Sequence, residues 1–255
     1  MLMAMGIEPD LALAERVLPP PLLRALRHVF AQRISGCMLV GGTALAGFYA
    51  GHRRSDDLDL FAEDDGSQRM AALAVRSLEG IGAGVEVRQD SAVYFRALCA
   101  LEGHRFTVDV ATASALFKSG RSVRLPGDIL VADLDTLLML KGAALVSRCA
   151  EKDLYDLLWI LERKDAMTLR ELAQAAQRFD AGASPENLLI SVLGARLDMK
   201  SCDFSLDQRV SARDIHRQVS GFRKELALGL RAIAKGNRPE PLGDLVRRVR
   251  ALSKR

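Results

Sequence analysis

Apolar residues recur along this chain at two different periods, and the change from one to the other divides it. Leu22, Leu23, Leu26, Val29 and Phe30 keep helical spacing and predict a helix over Leu22–Gln32, after a Pro19–Pro21 run that sets off an N-terminal stretch. Cys37–Val40 is a short apolar run ending in Gly41 and Gly42, the pattern of a buried strand meeting a tight turn. Thr43 is placed to cap a helix running through Tyr49. A loop over Gly51–Ser55 leads into a strand at Leu58–Phe61, closed by Asp64, Asp65 and Gly66. Ser67–Leu78 then predicts a helix with Met70, Leu73, Ala74 and Leu78 on its apolar side. Strand-like runs follow at Val85–Arg88, Val93–Leu101 and Phe106–Ala111, the last two joined by a hairpin at Glu102 and Gly103, and again at Ile129–Val131.

From Asp133 onward only the helical period remains. Asp133 or Asp135 can cap a helix through Leu137, Leu138, Leu140, Lys141, Ala144 and Leu145. Further helices are predicted over Lys152–Glu162, from Thr168, from Ser184 with Pro185 at the first helical position, over Val210–Ala234, and from Leu242. The expected fold class is therefore α+β: a small mixed β-sheet core with flanking helices over residues 1–132, then an all-helical part over residues 133–255.

Composition changes this picture little. The 255 residues are 49% hydrophobic and 27% charged, ordinary for a globular protein with a sizeable core. The apolar runs are interrupted by charge well short of the roughly 20 residues a membrane span needs, and residues near the start include Glu8 and Asp10 without a basic leader pattern. Four scattered cysteines (Cys37, Cys99, Cys149, Cys202) suit neither a zinc site nor a disulfide framework, so a reducing cytoplasmic location is expected. Charge is more informative. The net +4 conceals a C-terminal bias, with 13 Lys or Arg against 5 Asp or Glu from Ser205 onward. Such a region either meets a polyanion such as RNA or is a solvated helix face.

The candidate chemistry centres on Asp57 and Asp59. Residues two apart on a strand project to the same side, so the two carboxylates share a face. Neighbouring carboxylates repel unless a cation lies between them, and Mg²⁺ takes carboxylate and phosphate oxygens together. A two-metal clamp for phosphoryl transfer, with ions roughly 3.5–4 Å apart, is one use of such a pair. An acidic loop is the plainer reading of this pattern taken alone. What raises the first reading is the preceding strand, Gly41–Gly42–Thr43 turn and helix: paired glycines let backbone N–H groups approach a phosphate, and Thr43 offers a hydroxyl. Asp109, isolated on an apolar strand, is either a third ligand or acceptor-activating base, or a solvent-facing residue. In the helical half, Lys141 and Arg148 share a face, as do Asp153 and Asp156, so an ion pair from Lys141 to either acid is expected.

The stretches Gly41–Leu45, His52–Phe61 and Asp133–Leu145, then Arg148 and Lys152–Leu157, together resemble the AbiEii/AbiGii toxin family of nucleotidyltransferases. That family includes the MenT-type toxins and sits in the DNA polymerase β-like superfamily. The resemblance covers roughly Cys37–Leu161. It implies a nucleotidyltransferase core over residues 1–132 and a helical domain over 133–255 that completes the active-site cleft. It implies Mg²⁺ on Asp57 and Asp59, with Asp109 as third carboxylate. It implies NTP binding by Gly41, Gly42, Thr43, Arg53 and Ser55, a phosphate-contacting Lys141, and Asp156 as the acid of the next helix. The function it implies is transfer of an NMP from an NTP to an acceptor, RNA (tRNA) or protein, by the toxin of a toxin–antitoxin pair that has a cognate antitoxin. With aromatics at 5%, RNA recognition would rest on backbone and shape. Two alternatives stay open: a small-molecule nucleotidyltransferase similar in its core to the aminoglycoside-modifying enzymes, and a non-catalytic core that binds nucleic acid or antitoxin.

Overall fold

In the computed structural model, residues 7–252 are described. The chain divides into two compact units, with the change at Leu137/Leu138. In the first unit, α1 (Leu11–Val17) and α2 (Pro20–Ala31) precede β1 (Cys37–Val40). Pro20 and Pro21 occupy the first turn of α2, where a missing N–H costs nothing. Next come α3 (Gly41–Leu45), which continues as a π-helical turn over Ala46–Ala50, β2 (Asp57–Ala62) and α4 (Asp65–Arg76). β3 (Gly84–Asp90), β4 (Tyr94–Leu101), β5 (His104–Thr112), α5 (Ser114–Ser119), β6 (Ser122–Arg124) and β7 (Leu130–Ala132) complete the unit, and α6 (Leu134–Ser147) crosses the unit boundary.

The strands form one sheet in the order β3-β4-β5-β2-β1-β7-β6. β2 pairs with β5 and β1 with β7 in parallel, and the remaining pairs are antiparallel, so the sheet is mixed as expected. All four residues of β1 are buried, as a central strand requires. On β2, β4 and β5 alternate residues are buried: Leu58, Leu60 and Ala62, then Phe95, Ala97, Cys99 and Leu101, then Phe106, Val108 and Val110. α2 and α4 pack on these strands. The intervening residues, Asp57, Asp59, Thr107 and Asp109 among them, therefore project to the opposite face.

Two local expectations are corrected. Thr43 is not a cap: Gly41, with φ of 71°, already opens the helix, and Thr43 lies fully buried inside its first turn. On α4, Met70 and Leu73 are exposed, whereas Gln68, Ala71, Ala74 and Val75 are buried. Both stripes have helical spacing, and the smaller residues let the helix approach the sheet more closely. The short elements α5 and β6 have no apolar periodicity of their own. β6 forms because it pairs with β7.

The second unit is built from helices: α7 (Glu151–Leu161), α8 (Leu169–Gln177), α9 (Pro185–Gly194), α10 (Ala212–Ala234) and α11 (Leu242–Leu252), with a short 3₁₀ turn at Met199–Cys202. Ser184 caps α9. Thr168 with Glu171 and Ser211 with Asp214 form capping boxes at the starts of α8 and α10. α10 is the spine. Its buried Ile215, Val219, Phe222, Leu226, Leu230 and Ile233 recur every three or four residues, and α7, α8, α9 and α11 all pack on it. No helix among the described residues is long and apolar enough to cross a membrane. All four cysteines are buried free thiols, and burial pushes Cys99 up to about 11 and Cys37 up to about 12.

The hairpin at Glu102–Gly103 joins β4 and β5 with Leu101 opposite His104. Both loop residues have positive φ, 51° and 79°, the signature of a type I′ turn. Glutamate is a poor occupant, since a left-handed backbone costs an L-residue about 1–2 kcal/mol and Asn tolerates it better. The Arg24–Glu102 ion pair is half exposed on both sides, so it contributes no more than about 1 kcal/mol. Glu102→Asn should thus stabilise the protein by about 0.5 kcal/mol, read as a rise in the urea midpoint; a fall would show that the ion pair outweighs the turn.

Candidate active site

β2 and β5 run parallel in a register that pairs Asp57 with Thr107 and Asp59 with Asp109. Like charges directly opposite each other on a sheet are destabilising, so the structure must relieve them. Part of the relief comes from β4, where Arg96 is the register partner of Asp109. Its Nε lies 3.6 Å from Asp109 Oδ1, and the Tyr94 hydroxyl donates to that same oxygen. On the other side, the Thr107 hydroxyl donates to Asp57 Oδ1 at 2.5 Å. Both carboxylates are therefore oriented through Oδ1 by a hydroxyl of the sheet, with Oδ2 left for another partner.

Asp59 leans over the glycine turn. A Cβ added to Gly41 would lie 2.0 Å from Asp59 Oδ2 and 2.8 Å from its Cγ. At Gly42 an added Cβ would meet the Arg53 guanidinium at 2.6 Å and Ser55 Oγ at 2.8 Å. Both are buried, Arg53 3% and Ser55 8% exposed, so neither can easily give way. Arg53 also donates through Nη1 to the Arg54 carbonyl at 2.9 Å. The Thr43 hydroxyl is turned inward, bonded to Ser55 Oγ at 3.0 Å and to the Asp57 carbonyl. It joins the helix start to the loop before β2, and the Tyr49 hydroxyl likewise ties the π-helical turn to the Ala132 carbonyl at 2.9 Å. In this unit, then, Gly41, Gly42, Thr43, Arg53, Ser55, Asp57, Asp59 and Asp109 come together around the ends of β1 and β2 and their neighbour β5.

The donor set is all carboxylate oxygen, which suits Mg²⁺ rather than a transition metal. Among the described residues no three His, Cys, Asp or Glu side chains are grouped so that they could hold a metal ion together. Mg²⁺ does not need one, since it is commonly held by one or two carboxylates together with substrate phosphates and water. Carboxylates pre-oriented by second hydrogen-bond partners fit that use. Tyr94, Arg96 and Thr107 are absent from the sequence-based site. Their polar alternation along β4 and β5 was visible, but only the strand register shows which carboxylate each one meets.

The second unit brings together Lys141 from α6 with Asp153 and Asp156 from α7. Lys141 Nζ lies 2.9 Å from Asp153 Oδ1 and 2.7 Å from Asp156 Oδ2, and both acids are fully buried. Arg148 adds a two-pronged contact to Asp153, at 2.6 Å through Nε and 2.9 Å through Nη2. The expected ion pair is thus made to both acids at once. Burial works against an ionised Asp153, but the Lys141 ammonium and the Arg148 guanidinium outweigh it and hold the carboxyl below the ordinary carboxylate range. The Arg148 side chain is 64% exposed and is the part of the cluster that reaches solvent.

The profile of the family described as "Nucleotidyl transferase AbiEii toxin, Type IV TA system" matches residues 24–232. The match extends past both ends of the stretch that carries the sequence resemblance. Among solved structures, JHP933 from Helicobacter pylori is 18% identical, covers 88% of this chain and 95% of its own, and superposes with a TM-score of 0.52. A second H. pylori chain, described as a candidate nucleotidyltransferase, gives 19% identity, 88% and 97% coverage and a TM-score of 0.52. The nucleotidyltransferase toxin MenT4 from Mycobacterium tuberculosis is 17% identical over 73% of this chain and 79% of its own, with a TM-score of 0.42. At these identities the likeness is one of fold. No curated protein matches the chain in sequence.

Gly41→Ala should be doubly unfavourable, since it forces a side chain into a left-handed backbone and onto the Asp59 carboxylate. The backbone alone costs about 1–2 kcal/mol. A lowered urea midpoint is expected, and an unchanged one would mean that the turn relaxes freely. In the second unit, Lys141→Met removes the ammonium between two buried carboxylates and should cost about 3–5 kcal/mol at neutral pH. Because the folded state lowers the Asp153 carboxyl, its contribution is complete above the unfolded value of about 3.9 and is lost as pH falls through the lower folded value. The gap between Lys141→Met and wild type should therefore narrow below about pH 4. A gap independent of pH would place the loss in packing instead.

Proposed function

The chain belongs to the AbiEii family of nucleotidyltransferase toxins, and from that premise we propose that it moves an NMP from an NTP to a hydroxyl of RNA, a tRNA end foremost, or of a protein, in a Mg²⁺-dependent reaction. The observation that carries this reading is the orientation of Asp57 and Asp109 through Oδ1, with Asp59 between Asp109 and the glycine turn. Asp57 and Asp59 would hold Mg²⁺, whose charge offsets that of the triphosphate, and Asp109 is left for the acceptor.

The missing Cβ atoms of Gly41 and Gly42 let Asp59, Arg53 and Ser55 close on the turn, and beside it the triphosphate would meet backbone N–H groups, the Arg53 charge and the Ser55 hydroxyl. Thr43 contributes by holding Ser55 and the start of β2 in place. The acceptor oxygen forms a bond to the α-phosphorus as the bond from that phosphorus to the bridging oxygen breaks, and pyrophosphate leaves. Asp109 Oδ2 takes the acceptor proton, while Tyr94 and Arg96 hold Oδ1 and fix the orientation of the carboxylate for that step. Within the second unit, the family resemblance implies a phosphate-contacting role for Lys141, with Asp156 orienting it. The protein's work is positioning and charge neutralisation. As the toxin of a pair, it would act in the cytoplasm and be opposed by a cognate antitoxin.

The test is incubation with each α-labelled NTP, Mg²⁺, total RNA and cell protein. Label should enter RNA, or failing that protein. Asp57→Asn and Asp59→Asn should each lower transfer by at least about 10²–10³-fold with unchanged melting behaviour. Transfer retained in either variant would overturn the mechanism, and label found only on small molecules would favour an aminoglycoside-type acceptor.

A further inference from the structure

α9 has the sequence Pro185–Gly194 and is apolar nearly all round: Leu188 and Val192 are buried, yet Ile190 is 69% and Leu193 48% exposed. A helix that is apolar on every side is normally enclosed. Beside it on α10, Lys224, Leu228 and Arg231 recur at helical spacing on one stripe, with Leu228 50% exposed. Between the two helices runs a groove of about 280 Å³. Its floor includes Val192, Leu193, Ala227 and Leu228, its rim carries Arg223, Lys224 and Arg231, and it has no acidic lining residue.

The cations differ in what they do. The Arg223 guanidinium donates to the Ala195 carbonyl, which closes the C-terminal end of α9 and fixes one wall. Lys224 and Arg231 are exposed and make no ion pair with any described residue. This sets them apart from much of the basic C-terminal region: Arg209, Arg217, Arg247, Arg248 and Arg250 are each paired with an Asp or Glu. The groove thus joins exposed aliphatic surface to uncompensated positive charge. A partner must bring the complement of both, namely aliphatic side chains spaced for the floor and carboxylates for the rim. An amphipathic helix does so with anchors at every third or fourth position and Glu or Asp alongside. RNA would satisfy the charge and leave the leucines uncovered, because no aromatic side chain lines the groove for bases to stack on.

We propose that the α9–α10 groove is a docking site for an acidic amphipathic helix of a partner protein. The measurement is fluorescence anisotropy on the full chain with three probes. One is a labelled 16-residue helical peptide with leucines at i, i+3, i+7 and i+10 and flanking glutamates. The others are the same peptide with lysines for the glutamates, and a labelled RNA hairpin. The glutamate peptide should bind, and the lysine peptide should bind at least tenfold more weakly. Lys224→Glu/Arg231→Glu and Leu228→Ser, both at exposed positions, should each weaken the glutamate peptide at least tenfold while circular dichroism and melting stay as in the wild type. The nucleotidyl transfer assay should be unchanged in a Leu228→Ser protein, which separates this site from the reaction. The proposal is overturned if no peptide binds, if the two peptides bind alike, or if the variants bind the glutamate peptide as the wild type does. RNA binding that is lost in Leu228→Ser, or self-association of the wild type that is lost in that variant, would also overturn it by assigning the groove to RNA or to a second copy of the chain.

Discussion

Much of the first unit depends on the parallel register of β2 on β5. With Leu58, Leu60, Val108 and Val110 packed on one side, Asp57, Asp59 and Asp109 are forced to the other. A slip of one residue would bury every carboxylate and expose every aliphatic, so the register has no near alternative. The same constraint that makes the core sets two carboxylates side by side, an arrangement no sheet would adopt for stability alone. The neighbouring strands answer it, with Arg96 and Tyr94 at Asp109 and Thr107 at Asp57. Residual negative charge gathered on one face, beside the glycine turn, is the physical basis for the cation proposed there.

The second unit solves a similar electrostatic problem by full neutralisation. Asp153 and Asp156 are buried among the apolar residues of α7, and Lys141 and Arg148 meet them at 2.6–2.9 Å. Such a cluster is weak evidence for added stability, because removing Lys141, Asp153 and Asp156 from water is costly. Its stronger effect is on geometry: the ammonium has two carboxylates to satisfy, and so the pairing of α6 with α7 admits little freedom. The charge of the C-terminal region follows the same logic. Counting residues suggested one broad basic surface, but pairing within the unit cancels a large part of it. Lys224 and Arg231, which remain exposed on α10, adjoin aliphatic surface.

The sequence by itself determined the fold class, because period two and period 3.6 are properties of the chain and change over near Asp133. It also singled out candidate residues: Gly-Gly-Thr and the alternating aspartates by type and spacing, and the Lys141 and Asp156 segments through their resemblance to the family. The hairpin at Glu102–Gly103 and the helix starts at Ser184 and Thr168 belong here as well, for they are decided within a few residues. Tertiary structure decided what depends on partners distant in sequence. The two helical stripes of α4 were equivalent until the sheet selected the alanine side over Met70 and Leu73. Thr43 had the chemistry of a cap or a phosphate contact, and only the approach of Ser55 and Asp57 turned its hydroxyl inward. Tyr94, Arg96 and Thr107 became part of the site through strand register alone. β6 exists only because β7 pairs with it. Local spacing fixes which way a side chain can point; which group it meets is set by packing between segments far apart in the chain.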